Sequence, residues 1–173
     1  MIGVDPQPAI RPLTAEEEGF IQALARVAIY LPRNFDADLG RAEGFPMSEY
    51  TVLMDLSGAP GRRLRMGDLA AHSALSPGAV TRVVKVLEAK GLAKRQASAD
   101  DGRGQDAVLT ELGRLRLEKI RPAHVAGARL RVFDKLAGVD LAACTEVLNR
   151  IVLDDSPART PNPPTTSNPE RNE

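Results

Sequence analysis

The dipeptide Ser76-Pro77, followed by Val80, Val83, Val84, Leu87 and then Gly91, constrains this chain more than any other stretch. Serine is a strong helix N-cap, and proline suits the first helical position, where its missing N–H would be unpaired anyway. The four apolar residues fall at i, i+3, i+4 and i+7, which is one face of an α-helix. Gly91 supplies the left-handed residue at which helices commonly end. The opposite face must then present Gly78, Thr81, Arg82 and Lys85.

The neighbouring segments follow in a definite order. Ser48 is placed to cap a short helix with Tyr50, Leu53, Met54 and Leu56 inward, and Ser57-Gly58-Ala59-Pro60-Gly61 stops it. Arg63-Leu64-Arg65 alternates polar and apolar, as a short strand does. Gly67 to Ser73 predicts a second short helix with Leu69 and Ala70 inward and a weak N-cap. After Gly91 come two extended stretches, Leu92 to Ala97 and Asp106 to Leu109. The turn formers between them, Ser98 to Gly104, predict a β-hairpin with a long tip. Helix, strand, helix, turn, helix, hairpin is the order of a winged helix-turn-helix, here spanning residues 48–110.

Helical arms flank this module. Residues 1–13 contain Pro6, Pro8 and Pro12 and predict an irregular arm. Thr14-Ala15-Glu16-Glu17 has the form of a capping box. Phe20, Leu24, Val27, Leu31, Phe35 and Leu39 then form one stripe over residues 14–45, with Pro32 expected to kink or divide the helix. Thr110 is placed to cap a helix running towards Leu136, with Leu112, Leu115, Ile120, Leu130 and Phe133 apolar and a bend at Pro122. Asp140 is placed to cap a last helix whose apolar side holds Leu141, Cys144, Leu148, Ile151 and Val152. The helices of residues 111–154 give way to a proline-rich segment, 155–173, expected to be a disordered tail. The fold class is mainly α, with a small β-hairpin wing and a helical region built from the N- and C-terminal helices.

Charge is distributed unevenly. The whole chain has 23 Lys/Arg and 23 Asp/Glu. From Arg62 to Arg103, however, nine Lys/Arg face four Asp/Glu, an excess of five positive charges. A basic centre between acidic flanks fits a module that meets double-stranded DNA. Small residues at Ser76, Pro77 and Gly78 allow close approach to base edges. Thr81 can hydrogen-bond or meet a thymine methyl, and Arg82 can pair bidentately with guanine. Lys85 and the hairpin residues Lys94, Arg95 and Arg103 add positive charge. Arg103 on the tip suits the narrow minor groove, with Asp101 placed to orient it. Phosphate contact and mere solubility stand level for Arg62, Arg63 and Arg65.

The other function classes find little support. Aromatic residues make up 3% and tryptophan is absent, so the core must use Ala, Leu and Val, which favours helices. No apolar run approaches the roughly 20 residues of a membrane span, and residues 1–13 lack a secretory pattern. A cytoplasmic location is expected. There is no paired nucleophile and base, phosphate loop or metal motif, so neither catalysis nor a cofactor or metal is expected. His72 and His124 stand apart from other ligand-type residues; a packed or solvated histidine is the simpler reading of His124, and lining a ligand cavity the other. Cys144 has Ala142, Ala143 and Thr145 beside it, which favours a buried structural thiol over a redox switch.

The run Leu69-Ala70-Ala71-His72-Ser73-Ala74-Leu75-Ser76-Pro77-Gly78-Ala79-Val80-Thr81-Arg82-Val83-Val84 resembles the helix-turn-helix of the MarR family of bacterial regulators. Leu87-Glu88-Ala89-Lys90-Gly91-Leu92 resembles the end of its recognition helix, and Asp101-Gly102-Arg103 with Val108-Leu109-Thr110 its wing. The resemblance implies an obligate homodimer whose first and last helices intertwine, reading a pseudo-palindromic operator and commonly repressing. It implies Pro77, Gly78, Thr81 and Arg82 at the major groove, Arg103 at the minor groove, and Asp101 as its support. It also implies a small aromatic or anionic effector bound between the arms and the DNA-reading module. Ala74 departs from the family, which usually has glycine in that turn. The competing class is a winged-helix module that binds protein and does not read DNA.

Overall fold

A computed structural model describes residues 11–98 and 104–152. The elements are α1 (Ala15–Glu43), α2 (Met47–Gly58), β1 (Arg63–Arg65), α3 (Met66–His72), α4 (Pro77–Ala89), β2 (Ala93–Ala97), β3 (Gln105–Leu109), α5 (Glu111–Arg131) and α6 (Leu141–Val152). Single 3₁₀ turns at Pro60–Arg62 and Phe133–Lys135 join their neighbours. No helix among the described residues is long and apolar enough to cross a membrane.

Local chemistry explains most of the boundaries. The Thr14 hydroxyl accepts from the Glu17 N–H while the Glu17 carboxylate accepts from the Thr14 N–H, a complete capping box. Gly44, at φ +60°, closes the same helix in the left-handed region. Pro32 does not divide α1: one helix runs through it. Proline deletes a single hydrogen bond, and the intact bonds of the turns on either side carry the helix across that loss. Ser48 is not the cap of α2, which starts one residue earlier. There the Met47 N–H is taken by the Asp36 carboxylate of α1 at 2.8 Å, a cap supplied by tertiary structure.

The sheet has the order β1-β3-β2, antiparallel throughout, with Arg65 opposite Asp106 and Arg95 opposite Ala107. Thr110 caps α5 through the Gly113 N–H and also donates from its hydroxyl to the Gly91 carbonyl. A Cβ on Gly113 would lie 2.0 Å from the Leu92 carbonyl oxygen, so only glycine lets α5 pass this close to the start of β2.

The core gathers α2, α3, α4, the sheet and the first half of α5. Val52, Leu53, Leu56, Leu69, Val80, Val84, Leu87 and Ile120 are fully buried, each contributing about 1.5–3 kcal/mol by burial. The arms are different. Phe20, Val27, Leu112, Leu115, Leu130 and Phe133, expected on inward faces, are exposed, and every residue of α6 through Ile151 is exposed. Helical period marks an apolar face without saying which chain covers it. Cys144, expected to be buried, is exposed for the same reason. The tail expected at 155–173 and most of the irregular arm lie outside the described residues.

Candidate nucleic-acid interface

The helix pair α3 and α4 is joined by a tight turn at Ser73–Ser76. Ala74 occupies it at φ +50°, a left-handed conformation that costs a residue with a Cβ about 1–2 kcal/mol. The Ser76 hydroxyl accepts from the Ala79 N–H at 3.2 Å and starts α4. Val80, Val84 and Leu87 anchor α4 in the core, with Val83 half-buried. That anchoring turns Ser76, Pro77, Gly78, Thr81, Arg82 and Lys85 outward, and all six are exposed.

Hydrogen bonding narrows what each can do. The Thr81 hydroxyl donates to the Pro77 carbonyl at 2.8 Å, leaving its lone pairs and methyl for a partner. Thr81 is therefore an acceptor and an apolar contact. Among the described residues the Arg82 and Lys85 side chains have no carboxylate partner. Several neighbouring cations do. Lys90 reaches the nearly buried Glu49 of α2 at 2.6 Å, Arg62 reaches Glu111 at 3.2 Å, and Arg95 reaches Glu88 at 2.8 Å. Among the described residues Lys90, Arg62 and Arg95 are thus engaged with carboxylates, while Arg82 and Lys85 are not and share one exposed face of α4.

Arg95 is more constrained than its sequence position suggests. One Glu88 carboxylate oxygen accepts from the Arg95 N–H and the other from its Nε, both at 2.8 Å. Glu88 thereby ties β2 of the wing to the end of α4, and the two outer guanidinium nitrogens of Arg95 stay out of that pairing. The Leu-Glu-Ala-Lys-Gly-Leu run contained the signal, a carboxylate on the last turn seven residues before the arginine. Only the fold shows that the two meet. Asp101 and Arg103, the proposed minor-groove pair, lie outside the described residues.

Behind this surface, α1, α2 and α5 meet at aromatic contacts. The His124 ring lies 4.5 Å from Tyr50 and 5.8 Å from Phe35, centroid to centroid. Burial lowers the His124 pKa from its ordinary value, and the Arg121 charge lowers it further. Burial raises that of Tyr50, with Arg121 opposing. His124 is therefore packed against the Tyr50 and Phe35 rings. Phe45 carries Lys90 on its ring at 5.0 Å and Arg116 at 5.3 Å, and Arg131 of α5 grips Asp38 of α1 through two 2.8 Å bonds. No cluster of three metal-ligand side chains occurs among the described residues.

Known proteins share this arrangement. The MarR family model matches residues 43–104. An HTH-type transcriptional repressor of Mycobacterium tuberculosis is 33% identical over 111 residues, which is 64% of this chain and 78% of that protein. The crystal structure of a MarR family transcriptional regulator from Streptomyces coelicolor, in complex with DNA, superposes with a TM-score of 0.78 at 31% identity, covering 92% of this chain and 98% of that one. AbsC, another MarR family regulator from that organism, gives 0.73 at 32% identity over 82% and 95%.

Proposed function

The chain belongs to the MarR family of DNA-binding transcription regulators, and from that membership we propose that it is a repressor, acting as a homodimer on a pseudo-palindromic operator. The observation that carries the reading is the outward face of α4. Pro77, Gly78, Thr81, Arg82 and Lys85 stand exposed on one anchored helix, with both cations free of carboxylates among the described residues. Arg82 reads a guanine and Thr81 accepts from a base or meets a methyl group. Lys85 and Arg95 meet phosphate, and the dipole of α4 favours phosphate at Ser76. Arg103 enters the minor groove with Asp101 as its support.

Two copies are needed because one helix reads only one half-site. Half-sites about 10 bp apart would place two α4 helices in successive major grooves. The exposed apolar faces of α1, α5 and α6 support pairing through the arms. An effector, small and aromatic or anionic, would act by changing the spacing of the two α4 helices.

The test is binding of the purified protein to the DNA upstream of its own gene across a salt series. Affinity for that duplex should exceed affinity for unrelated duplex and fall steeply with salt. Arg82→Ala should cost about 1–3 kcal/mol and relax the preference at one base. Weak, equal binding to every duplex would overturn the reading and favour a protein-binding winged helix.

A further inference from the structure

The wing sheet has a second face. Alternation along the strands puts Leu64, Ala107 and Arg95 on the side where Glu88 of α4 is met, and Arg63, Arg65, Lys94, Gln96, Asp106 and Val108 on the other. On that other side lies a cleft of about 590 Å³, walled by Pro60, Arg63, Asp68, Gln96, Asp106 and Val108 among others, but not by Lys94. This is within the roughly 300–1,000 Å³ range of small-molecule sites. None of the α4 and wing residues assigned to DNA lines it, whereas Arg63 and Arg65, for which the sequence leaves phosphate contact open, do.

Its chemistry is specific. Asp106 is only 5% exposed, and its Oδ1 has no hydrogen-bond partner among the described residues. A carboxylate taken out of water without a partner is costly, so such an atom is a place where a donor is wanted. Its cross-strand neighbours are Arg65, which is engaged elsewhere, and Gln96. Asp68, in the first turn of α3, adds a second, exposed carboxylate to the same cleft. Arg63 lies opposite Val108, one same-face step from Asp106, and its side chain has no carboxylate partner among the described residues. Diagonal neighbours on adjacent antiparallel strands are about 7–8 Å apart. That separation suits a molecule whose ammonium and carboxylate sit on one carbon, and Val108 and Pro60 offer apolar surface to the remainder.

We propose that this cleft binds a small zwitterion of the α-amino-acid type, its ammonium on Asp106 and its carboxylate on Arg63. Anions alone would leave Asp106 unpaired and face Asp68. Amines alone would leave Arg63 unused and face two guanidinium groups.

The experiment uses the full chain without DNA, so its outcome is independent of how the duplex is read. Each of the proteinogenic L-α-amino acids is screened by thermal shift and the strongest is titrated by calorimetry. It is then compared with its decarboxylated amine and its deaminated acid. We expect one or more amino acids to bind saturably with a Kd below about 1 mM. Both one-sided analogues should bind at least tenfold more weakly, as should the parent amino acid to Asp106→Asn and to Arg63→Gln. Asp106→Asn should melt close to the parent, since the amide keeps the size and one acceptor oxygen of the side chain. If that variant fails to fold, the exposed Arg63→Gln carries the test. No saturable amino acid, an amine that binds as well as its parent, or full binding by either variant would overturn the proposal.

Discussion

At the scale of single residues, much of this protein turns on which groups already have partners. Arg82 and Arg95 look alike in the sequence, yet Arg95 is held by two bonds to Glu88 and Arg82 is free of carboxylates among the described residues. Glu88→Ala should release both the Arg95 backbone N–H and its guanidinium. We expect a loss of about 1–2 kcal/mol in stability and weaker operator binding, measured by denaturant melts and a DNA titration. Glu88→Gln should recover only part of each loss, because the amide keeps one acceptor oxygen for one of the two Arg95 donors; equal loss in the two variants would argue against the tether. Backbone fit is as decisive. Ala74→Gly should stabilise the turn by about 0.5–1 kcal/mol, the left-handed strain relieved less the entropy cost of glycine. Gly113→Ala should destabilise by about 3 kcal/mol or more, since its Cβ would fall 2.0 Å from the Leu92 carbonyl oxygen. Thermal melts of the two variants should move in opposite directions.

At the scale of elements, α4 and α6 show the two fates of an amphipathic helix. The apolar face of α4 is filled by its own chain, with Val80, Val84 and Leu87 at 0% exposure. Among the described residues the apolar face of α6 is left uncovered, and Leu141, Leu148 and Ile151 remain 42–51% exposed. A helix of 12 residues is marginal in water without packing. In the proposed homodimer that face is covered, and Cys144 shares it. Alkylation of Cys144 should therefore be slow at micromolar protein and accelerate on dilution below the dimer dissociation constant. A rate independent of protein concentration would contradict coverage by a second copy. Both faces were legible from periodicity; what lies across from each was not.

At the scale of the molecule, the arms and the DNA-reading module are joined around His124, Tyr50 and Phe35. The folded pKa of His124 is below its unfolded value of about 6.5. The folded state therefore resists the proton that the unfolded chain accepts first. Stability from this group is fully present above about pH 6.5 and declines as pH falls towards the folded pKa. Denaturant midpoints between about pH 7.5 and 5.5 should drop more for the parent than for His124→Gln; equal slopes would exclude this group as the cause. The same junction marks the boundary of sequence reasoning. The sequence by itself determined the order of elements and the outward face of α4. It also determined the caps at Thr14, Ser76, Thr110 and Asp140, because capping and periodicity act over a few residues. Tertiary structure alone decided that Asp36 caps α2, that Glu88 fixes Arg95, and that β1 completes the wing sheet. Among the described residues it also left the arm helices with uncovered apolar faces, and it set Asp106 among the residues that line a cleft. Those outcomes depend on residues brought together from distant parts of the chain, and no local propensity encodes which distant partner arrives.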